Sequence, residues 1–341
     1  MTTLILAAPL MARSGVYRST LDLVATARAA GKDWRAVIAV RPTAGGTASA
    51  APGISETTIT EHGRRLLPAL RDLVEPHLLG VDTIVTMVPQ SDIVVSRMTG
   101  RPRHVAWVRG LPWPGAGEQS LLRSTVLRRL ETAALRRADD VWATSPLLAA
   151  QVSRAVTAPV VPAGVPLLAR SHDGAVGGPL IWAGRLSAEK GPSEFLGIAR
   201  RTGLDAEVYG EGPLLEQLRS DAPGSVSWHG WAHPDAIWER GGIALCTSHR
   251  DAFGRSPVEA ASAGLPLVMS DQTGVAPFLY TDPELAERFI LPVDAHARWD
   301  DAVLALHHDE GLRRRVSDHV HRSAQRLSIQ ASFGAALSHL T

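Results

Sequence analysis

The stretch Ser248-His-Arg-Asp251-Ala-Phe-Gly254-Arg-Ser-Pro-Val-Glu259-Ala decides the fold that the sequence predicts. It follows an apolar, strand-like run at 242–246 and precedes a small-residue helix at 258–263 and another strand at 265–269. Two carboxylates, Asp251 and Glu259, therefore bracket a glycine turn at the carboxyl end of a strand. Ligands bind at that edge of an open α/β sheet, and a carboxylate there accepts hydrogen bonds from sugar or ribose hydroxyls.

Both carboxylates also have a simpler structural interpretation, which the sequence leaves open. Ser256, Pro257 and Glu259 match a capping box, with Ser at the N-cap, Pro at the first helical position and Glu reaching back to the cap amide. Asp251 taken alone is an ordinary loop acid. The combination of strand, Asp, Phe-Gly turn, Glu and helix favours a ligand site.

Strand-like and helical patterns alternate along the chain, which predicts an α/β fold with parallel sheets. The stretch Ser171–Pro179 is the best candidate linker, so the two halves are expected to join near 165–178. The Gly/Ala/Thr-rich segment 42–57 is predicted to be a mobile loop. We therefore expect two doubly wound domains, 1–165 and 166–327, with a ligand in the cleft between them. The patterns predict strands at 3–8, 36–40, 82–88, 104–108, 140–144, 180–183, 205–209, 225–228, 242–246 and 265–269. They predict helices at 18–30, 63–79, 91–99, 119–137, 192–201, 213–219, 234–240, 257–263, 295–308, 309–326 and 328–340.

The composition narrows the class of protein. A formal net charge of +1 over 341 residues argues against a nucleic-acid binder, and no apolar run reaches the length of a membrane span. The first residues lack a basic leader, so the cytoplasm is the expected location. Cys246 lies in an apolar run and is expected to be a core thiol. Only Lys32 and Lys190 are lysines, and a retained lysine suggests a need for a compact point charge.

A second motif, Gly184-Arg185-Leu-Ser-Ala-Glu-Lys190-Gly191-Pro192, follows the first strand of the second half. Arg185 and Lys190 are cations at the carboxyl edge of the sheet, and Gly191-Pro192 begins a helix whose N-terminus attracts anions. This arrangement predicts a diphosphate site. The alternative is an exposed turn with a surface pair between Glu189 and Lys190.

Glycines after three other strands could bring a backbone close to a ligand. Gly210 follows the strand at 205–209, Thr273-Gly274 offers backbone amides after the strand at 265–269, and Gly15 follows the first strand. For Gly210, a plain strand-to-helix turn explains the glycine equally well.

The strand at 104–108 ends in Trp107-Val-Arg109-Gly-Leu-Pro-Trp113. Arg109, Trp113 and His104 are expected to face the cleft, whereas Trp107 is expected in the core. The arginine-rich helix at 119–137 could touch anionic lipid, but a solvated helix face is the favoured interpretation.

Several signatures are absent from the sequence. There is no Asp-x-Asp, metal-type His spacing or cysteine pair, so no metal site is predicted. There is no Gly-x-Ser-x-Gly or Walker A motif, and no Gly-x-Gly-x-x-Gly follows the first strand, so serine hydrolases and nicotinamide enzymes have little support.

Taken together, these motifs resemble the retaining GT-B glycosyltransferases of glycosyltransferase family 4. The stretch 184–191 resembles the family's G-R-L-x-x-E-K-G, and 251–260 resembles its E-G-F-G-x-x-x-x-E-A. The stretch 263–268 is similar to C-G-x-P-V-V, and 161–165 to the P-N-G-V before the linker. The resemblance is specific over about 135–275.

The resemblance implies two Rossmann-like domains, an acceptor domain and a donor domain, with the last helix, about 328–341, packing back on the first. It implies transfer of a sugar from a nucleotide diphosphate, with UDP as the favoured nucleotide, to a hydroxyl of a small-molecule or glycan acceptor, with retention and without a metal or other cofactor. Nucleic acid is not an expected partner, and membrane contact is not favoured. The implied catalytic residues are Arg185, Lys190 and Asp251. The implied donor-binding residues are Gly15, Gly184, Arg185, Lys190, Gly210, Asp251, Phe253, Gly254, Glu259, Thr273 and Gly274, and the acceptor-binding residues are Arg109 and Trp113.

Three departures from the family pattern keep other functions open. Arg109 stands where the family usually has His, Ser14-Gly15 stands where its first loop has two glycines, and Val275-Ala-Pro-Phe-Leu follows where it has an acid. Asp251, where the family has Glu, is one methylene shorter, which bears on its reach and on the preferred sugar. The alternatives are a GT-B sugar-nucleotide epimerase or hydrolase, and a catalytically silent sugar-nucleotide-binding partner of another transferase.

Overall fold

The computed structural model describes residues 1–13, 15–45, 47–110 and 121–341, the last range without the side chains of 121–123. The chain forms two compact units. Unit 1 comprises Met1–Gly164 together with Ile329–Thr341, and unit 2 comprises Val165–Ser328. Among the described residues, no helix is both long enough and apolar enough to cross a membrane.

Unit 1 is built on a six-stranded parallel sheet with the strand order β3-β2-β1-β4-β5-β6. Every residue of the central strand β1 is buried, as expected when helices cover both faces of a parallel sheet. The strands are β1 (Thr3–Leu10), β2 (Trp34–Val40), β3 (Ile54–Thr58), β4 (Thr83–Thr86), β5 (Arg103–Val108) and β6 (Asp140–Ala143). The helices of this part of the chain are α1 (Gly15–Ala29), α2 (Leu66–Val74), α3 (Pro89–Val95), α4 (Leu121–Leu135) and α5 (Pro146–Val152).

The prediction of a mobile loop over 42–57 is wrong in its last part, because β3 lies there and pairs with β2. The strand is hidden in the sequence because its residues, Ile-Ser-Glu-Thr-Thr, are mostly polar, as suits an edge strand with one solvated face. Its central residue, Glu56, accepts hydrogen bonds from Arg13 Nε at 2.9 Å, the Tyr17 hydroxyl at 2.8 Å and the Ser49 amide at 2.8 Å. Glu56 therefore ties Arg13, Tyr17 of α1 and the segment that precedes β3 to this strand.

Unit 2 contains a second six-stranded parallel sheet, with the order β12-β11-β10-β7-β8-β9. Its strands are β7 (Leu180–Ala183), β8 (Ala206–Tyr209), β9 (Val226–Gly230), β10 (Ile243–Cys246), β11 (Leu267–Ser270) and β12 (Ile290–Leu291). Its helices are α6 (Pro192–Thr202), α7 (Leu215–Asp221), α8 (Pro234–Trp238), α9 (Arg255–Ala263), α10 (Ala276–Leu279), α11 (Pro283–Phe289), α12 (His296–His308) and α13 (Glu310–Ala324).

Two six-stranded parallel sheets with flanking helices confirm the predicted α/β class. The predicted pattern lacked the short elements α5, α10, α11, β3 and β12. Segments of two to seven residues carry too few repeats for a helical or strand period to be recognised.

The last helix, α14 (Ile329–Leu340), belongs to unit 1, although the chain reaches it only after completing unit 2. Phe333 packs edge-on against Trp34, with ring centroids 5.2 Å apart. The Ser332 hydroxyl donates to the Pro162 carbonyl at 2.7 Å, and Arg103 donates to the Leu340 carbonyl at 2.8 Å. Apolar packing and hydrogen bonds thus both hold α14 in unit 1.

Candidate functional site

The order of the strands in unit 2 brings the sequence motifs to one edge of the sheet. From β7, the chain adds β8 and β9 on one side and β10, β11 and β12 on the other. The direction of winding therefore reverses between β7 and β10, and such a switch point opens a ligand crevice at the carboxyl ends of the strands. The motif 184–192 follows β7, and the stretch 248–259 follows β10, so both flank this point.

Lys190 and Asp251, which lie 61 residues apart in sequence, meet at this edge. Lys190 Nζ lies 2.6 Å from Asp251 Oδ2, and the side chains are 29% and 16% exposed. Burial acts to lower the pKa of Lys190, but the neighbouring Asp251 carboxylate outweighs burial, so the pKa of Lys190 is raised. The lysine therefore stays protonated, as an anion-binding residue must.

Glu189 does not form the surface pair with Lys190 that the alternative interpretation required. Its carboxylate accepts from the Ser187 hydroxyl at 2.7 Å, and its backbone carbonyl accepts from the amides of His249 and Arg250 at 3.0 and 3.2 Å. The loop after β7 is thus joined to the loop after β10, which is how the Lys190 side chain reaches Asp251.

Gly191 places the N-terminus of α6 beside this ion pair. It adopts a left-handed conformation, with φ of 65°, and forms the N-cap of α6. A Cβ atom at Gly191 would lie 2.0 Å from the Thr247 carbonyl oxygen, and the Thr247 hydroxyl donates to the Gly191 carbonyl at 2.5 Å. Only glycine allows this close approach, which sets the positive end of the α6 dipole next to Lys190.

Arg185 is exposed at the same edge. Among the described residues its guanidinium has neither an ion pair nor a hydrogen bond, so it is free to bind an anion.

Gly184 and Gly210 lie against each other. Gly210 has a φ of 128°, and a Cβ atom there would be 1.9 Å from the Gly184 carbonyl oxygen. Backbone packing thus already requires glycine at 210.

The loops that carry Asp251 and Thr273 are joined by backbone pairing. Asp251 forms an isolated parallel bridge with Thr273, and the Gly274 amide donates to the Asp251 carbonyl at 2.9 Å. The Thr273 amide donates to Ser270, and the Phe253 amide points at Asp251 Oδ1. The expectation that the Thr273 and Gly274 amides are free is therefore wrong, because the loop–loop contacts use them.

Phe253 and Gly254 have structural roles in this loop. The Phe253 ring is buried, 5% exposed. Gly254 has a φ of 97° and is the N-cap of α9, where a Cβ atom would lie 2.8 Å from Thr273 Cγ2.

The capping-box interpretation of Glu259 is wrong, because α9 begins at Arg255 and Ser256 lies inside the helix. A glycine in the left-handed conformation starts the helix one turn earlier than the Ser-Pro pair suggested. Glu259 is 5% exposed, and one of its carboxylate oxygens lies 3.7 Å from Arg255 Nε. The contact of Glu259 with the ribose stays a prediction.

In unit 1, Arg109 lies at the end of β5 and is 6% exposed. Its guanidinium lies over the Trp107 ring, 4.4 Å from the centroid, and donates to the Ser19 hydroxyl on α1 at 2.5 Å. Trp107 is a core residue as expected, 1% exposed.

Gly15 is exposed at the start of α1, and a Cβ atom added to it would have no other atom of the described residues within 4 Å. Trp113 lies outside the described residues.

His104 does not face outward, as the sequence suggested, but is fully buried. Its Nε2 lies 2.8 Å from the Thr86 hydroxyl, which in turn donates to Asp92. Burial lowers the pKa of His104 to about 3 and raises the pKa of Asp92 to about 7. No sequence pattern indicates this buried polar group, because each of its residues stands alone in an apolar run.

The sequence also did not predict that Cys246 borders the candidate site. Its Sγ lies 3.4 Å from the Thr273 hydroxyl and 3.7 Å from the Ser248 hydroxyl. Burial raises the pKa of this thiol, which keeps it protonated and unreactive. The only feature of the sequence that could have indicated this position is that Cys246 ends the predicted strand at 242–246, at the edge of the sheet where ligands bind.

Comparisons with known proteins agree with this arrangement. A family model described as Family 4 Glycosyltransferase in conflict systems matches residues 235–335. A curated relative, the poly(glycerol-phosphate) alpha-glucosyltransferase of Bacillus subtilis, is 25% identical over 128 residues, 36% of this chain. The chain spans only 19% of the length of that relative.

Solved structures match the chain over its whole length. Sucrose-phosphate synthase from Thermosynechococcus elongatus has a TM-score of 0.80 and 18% identity, covering 100% of this chain and 99% of its own. HepE of Anabaena in complex with UDP has a TM-score of 0.74 and 16% identity over 100% and 99% of the two chains. The trehalose-6-phosphate enzyme from E. coli bound with UDP-2-fluoro glucose has a TM-score of 0.70 and 12% identity, covering 99% of each chain. The resemblance of this chain to family 4 of the glycosyltransferases is therefore confirmed, and its fold is the GT-B fold.

Proposed function

We propose that the chain is a retaining glycosyltransferase that moves a sugar from a nucleoside-diphosphate sugar to a hydroxyl of a small-molecule or glycan acceptor, without a metal. The observation that carries this proposal is the cationic edge of unit 2. There, protonated Lys190, exposed Arg185 and the N-terminus of α6 converge at the switch point of the sheet. Three positive groups of this kind suit an anionic ligand such as a diphosphate.

In the proposed reaction, Arg185 and Lys190 hold the donor diphosphate and stabilise the charge that grows on it as it leaves. The bond between the anomeric carbon and the phosphate oxygen breaks. The acceptor oxygen forms the new bond on the same face of the sugar. The acceptor proton passes to the leaving diphosphate, so no protein base is required.

Asp251 and Glu259 are the proposed contacts of the donor's hydroxyl groups. Asp251 would accept from hydroxyls of the transferred sugar through Oδ1, which also accepts from the Phe253 amide, and Glu259 would accept from the ribose. Asp251 is one methylene shorter than the Glu of the family, so it reaches less far towards the transferred sugar. We propose UDP as the nucleotide, since HepE and the E. coli enzyme are bound to UDP or a UDP-sugar.

The decisive experiment is thermal stabilisation of the purified chain by nucleoside diphosphates and nucleotide sugars in the presence of a metal chelator. A ligand that binds only the native state raises the melting temperature by mass action. We expect a selective shift with one nucleoside diphosphate that disappears in Glu259→Ala and Lys190→Ala. A shift that needs added metal would contradict metal independence, and no shift with any nucleotide would remove the proposal.

A second candidate, a silent sugar-nucleotide-binding partner protein, is favoured by one observation. Arg109, at the position of the family's usual His, is held by Trp107 and Ser19 inside unit 1. This candidate predicts nucleotide binding without turnover over a broad acceptor panel, and turnover that appears in Arg109→His. Turnover by the unmodified chain would dismiss it, and product analysis would separate transfer from epimerisation or hydrolysis of the donor.

A further inference from the structure

One face of α4 and of the turn after it carries four exposed arginines. Residues spaced three or four apart lie on one side of a helix, and here they border a shallow groove of about 590 Å³. We call this surface the arginine face. It consists of Thr125, Arg128, Arg129, Thr132, Ala133, Arg136 and Arg137.

Three of the four arginines of this face have no carboxylate partner in the part of the chain that the structure describes. Among the described residues, Arg129, Arg136 and Arg137 form no ion pair; Arg136 donates only to the Ala155 carbonyl, at 3.3 Å. The next acids in the chain, Asp139 and Asp140, are already paired with Arg101 and Arg103. A chain with a formal net charge of only +1 thus concentrates positive charge at one place.

The spacing of the arginines matches a ligand with repeated anionic groups. The pair Arg128–Arg129 and the pair Arg136–Arg137 are eight residues apart, which corresponds to about 12 Å along a helix. A guanidinium presents a planar fork of donors that fits a phosphate oxygen pair. Two such pairs at this distance would bind two phosphates of one chain rather than a single phosphate.

The other residues of the arginine face limit the kind of polyanion. Between the arginines it offers only Thr125, Thr132 and Ala133. It has no aromatic side chain on which a nucleic-acid base could stack, and no large apolar side chain that could enter a lipid bilayer. Val126, which is 48% exposed, does not border the groove.

We propose that the arginine face binds an acceptor chain that carries regularly spaced phosphodiester groups, of the polyol-phosphate class. This inference rests on the proposed glycosyl transfer, because it names the class of acceptor. Helix α4 connects the parallel neighbours β5 and β6, so it runs back from the carboxyl edge of the sheet of unit 1. A chain lying along α4 therefore leads towards the edge at which Arg109 and Gly15 lie, and polyol hydroxyls between the phosphates would be the groups that accept sugar.

The test compares two double variants that lose the same charge. Arg129→Gln with Arg137→Gln removes one arginine from each pair. Arg64→Gln with Arg65→Gln, two exposed arginines elsewhere in unit 1, is the matched control. Binding of fluorescent, lipid-free poly(glycerol phosphate) is measured by anisotropy at several salt concentrations, without donor. Single-stranded RNA with the same number of phosphates, and vesicles of phosphatidylglycerol and phosphatidylcholine, are measured in parallel.

We expect the unmodified chain and the control to bind poly(glycerol phosphate) with the same affinity and salt dependence. We expect about tenfold weaker binding and a shallower salt dependence in the arginine-face variant. Arg129→Lys with Arg137→Lys should keep the salt dependence and lose part of the affinity, which a folding defect would not produce. Equal loss in both glutamine variants, no binding by the unmodified chain, or tighter binding of RNA or vesicles would overturn the proposal. The rise in melting temperature with nucleotides, measured separately, shows whether the proposed donor site binds a nucleotide. The proposed glycosyl transfer and the proposed acceptor can therefore fail independently.

Discussion

At the scale of single residues, the ion pair between Lys190 and Asp251 is the most consequential contact in the candidate site. Lys190 is the only lysine in unit 2, and its ammonium group lies 2.6 Å from the Asp251 carboxylate. We expect Lys190→Ala to lower kcat/KM for donor by about 100-fold or more, because the proposed reaction would lose the fixed positive charge that stabilises its leaving group. Steady-state kinetics with the donor identified by thermal shift would measure this.

Lys32→Ala is the matched control for that experiment. It removes the other lysine, which is exposed in unit 1. Its kcat/KM should equal that of the unmodified chain. An unchanged rate in Lys190→Ala would show that Lys190 does not serve the diphosphate, whatever the fold.

Gly210 is expected to matter for the stability of the fold, because its backbone conformation and close packing leave no room for a side chain. With φ of 128° and a Cβ position 1.9 Å from the Gly184 carbonyl, Gly210→Ala must move the β7 and β8 loops apart. We expect a loss of about 2–4 kcal/mol in the free energy of unfolding. Urea denaturation would measure it. Gly224→Ala, at an open position, should change it by less than about 0.5 kcal/mol; equal effects would contradict the steric explanation.

At the scale of elements, α3 and α4 bury two carboxyl groups, Asp92 and Glu131, in unit 1. Burial raises the pKa of Asp92 to about 7, and burial together with the nearby Asp92 raises the pKa of Glu131 to about 9. Between about pH 4.5 and these values, the folded state binds more protons than the unfolded state. The contribution of these groups to stability is therefore present at low pH and is lost as the pH rises.

We therefore expect Glu131→Gln to flatten the dependence of stability on pH. The fall in the free energy of unfolding between pH 6 and pH 8.5 should shrink by about 1 kcal/mol or more, because the variant has no proton to lose. Urea unfolding at the two pH values, followed by tryptophan fluorescence, would measure it. Glu61→Gln, at an exposed position in unit 1, should leave the fall unchanged. An unaltered pH dependence in Glu131→Gln would mean that Glu131 titrates at an ordinary pKa.

At the scale of the whole molecule, α14 makes the two ends of the sequence parts of one unit. Phe333 packs on Trp34, and both belong to the core that covers one face of the sheet of unit 1. Phe333→Ala should cost about 3–5 kcal/mol, as for other large core residues. Hydrogen exchange followed by mass spectrometry should show lost protection in 1–164 and 329–341, with 165–328 unchanged.

Ser338→Ala, on the exposed side of α14, is the control and should leave protection unchanged throughout. Equal loss of protection across 165–328 after Phe333→Ala would show that the two units unfold together. Loss confined to α14 would show that the helix is not required for the rest of unit 1.

The α/β class and the edge of the sheet that carries the site were predictable from the sequence. Strand and helix periods are local properties, and the glycine-rich turns after β7, β8 and β10 mark strand ends without knowledge of the rest of the chain. The family motifs lie at these turns, so Arg185, Lys190, Asp251 and Glu259 could be named in advance.

The tertiary structure alone decided which of these residues meet and which are buried. Lys190 is paired with Asp251 rather than Glu189, Arg109 is enclosed by Trp107 and Ser19, and the Thr273 and Gly274 amides are used by another loop. The pairing of the polar edge strand β3 with β2 was likewise settled by packing. The physical reason is that burial, charge pairing and edge-strand pairing depend on neighbours from distant parts of the chain, which local patterns do not record.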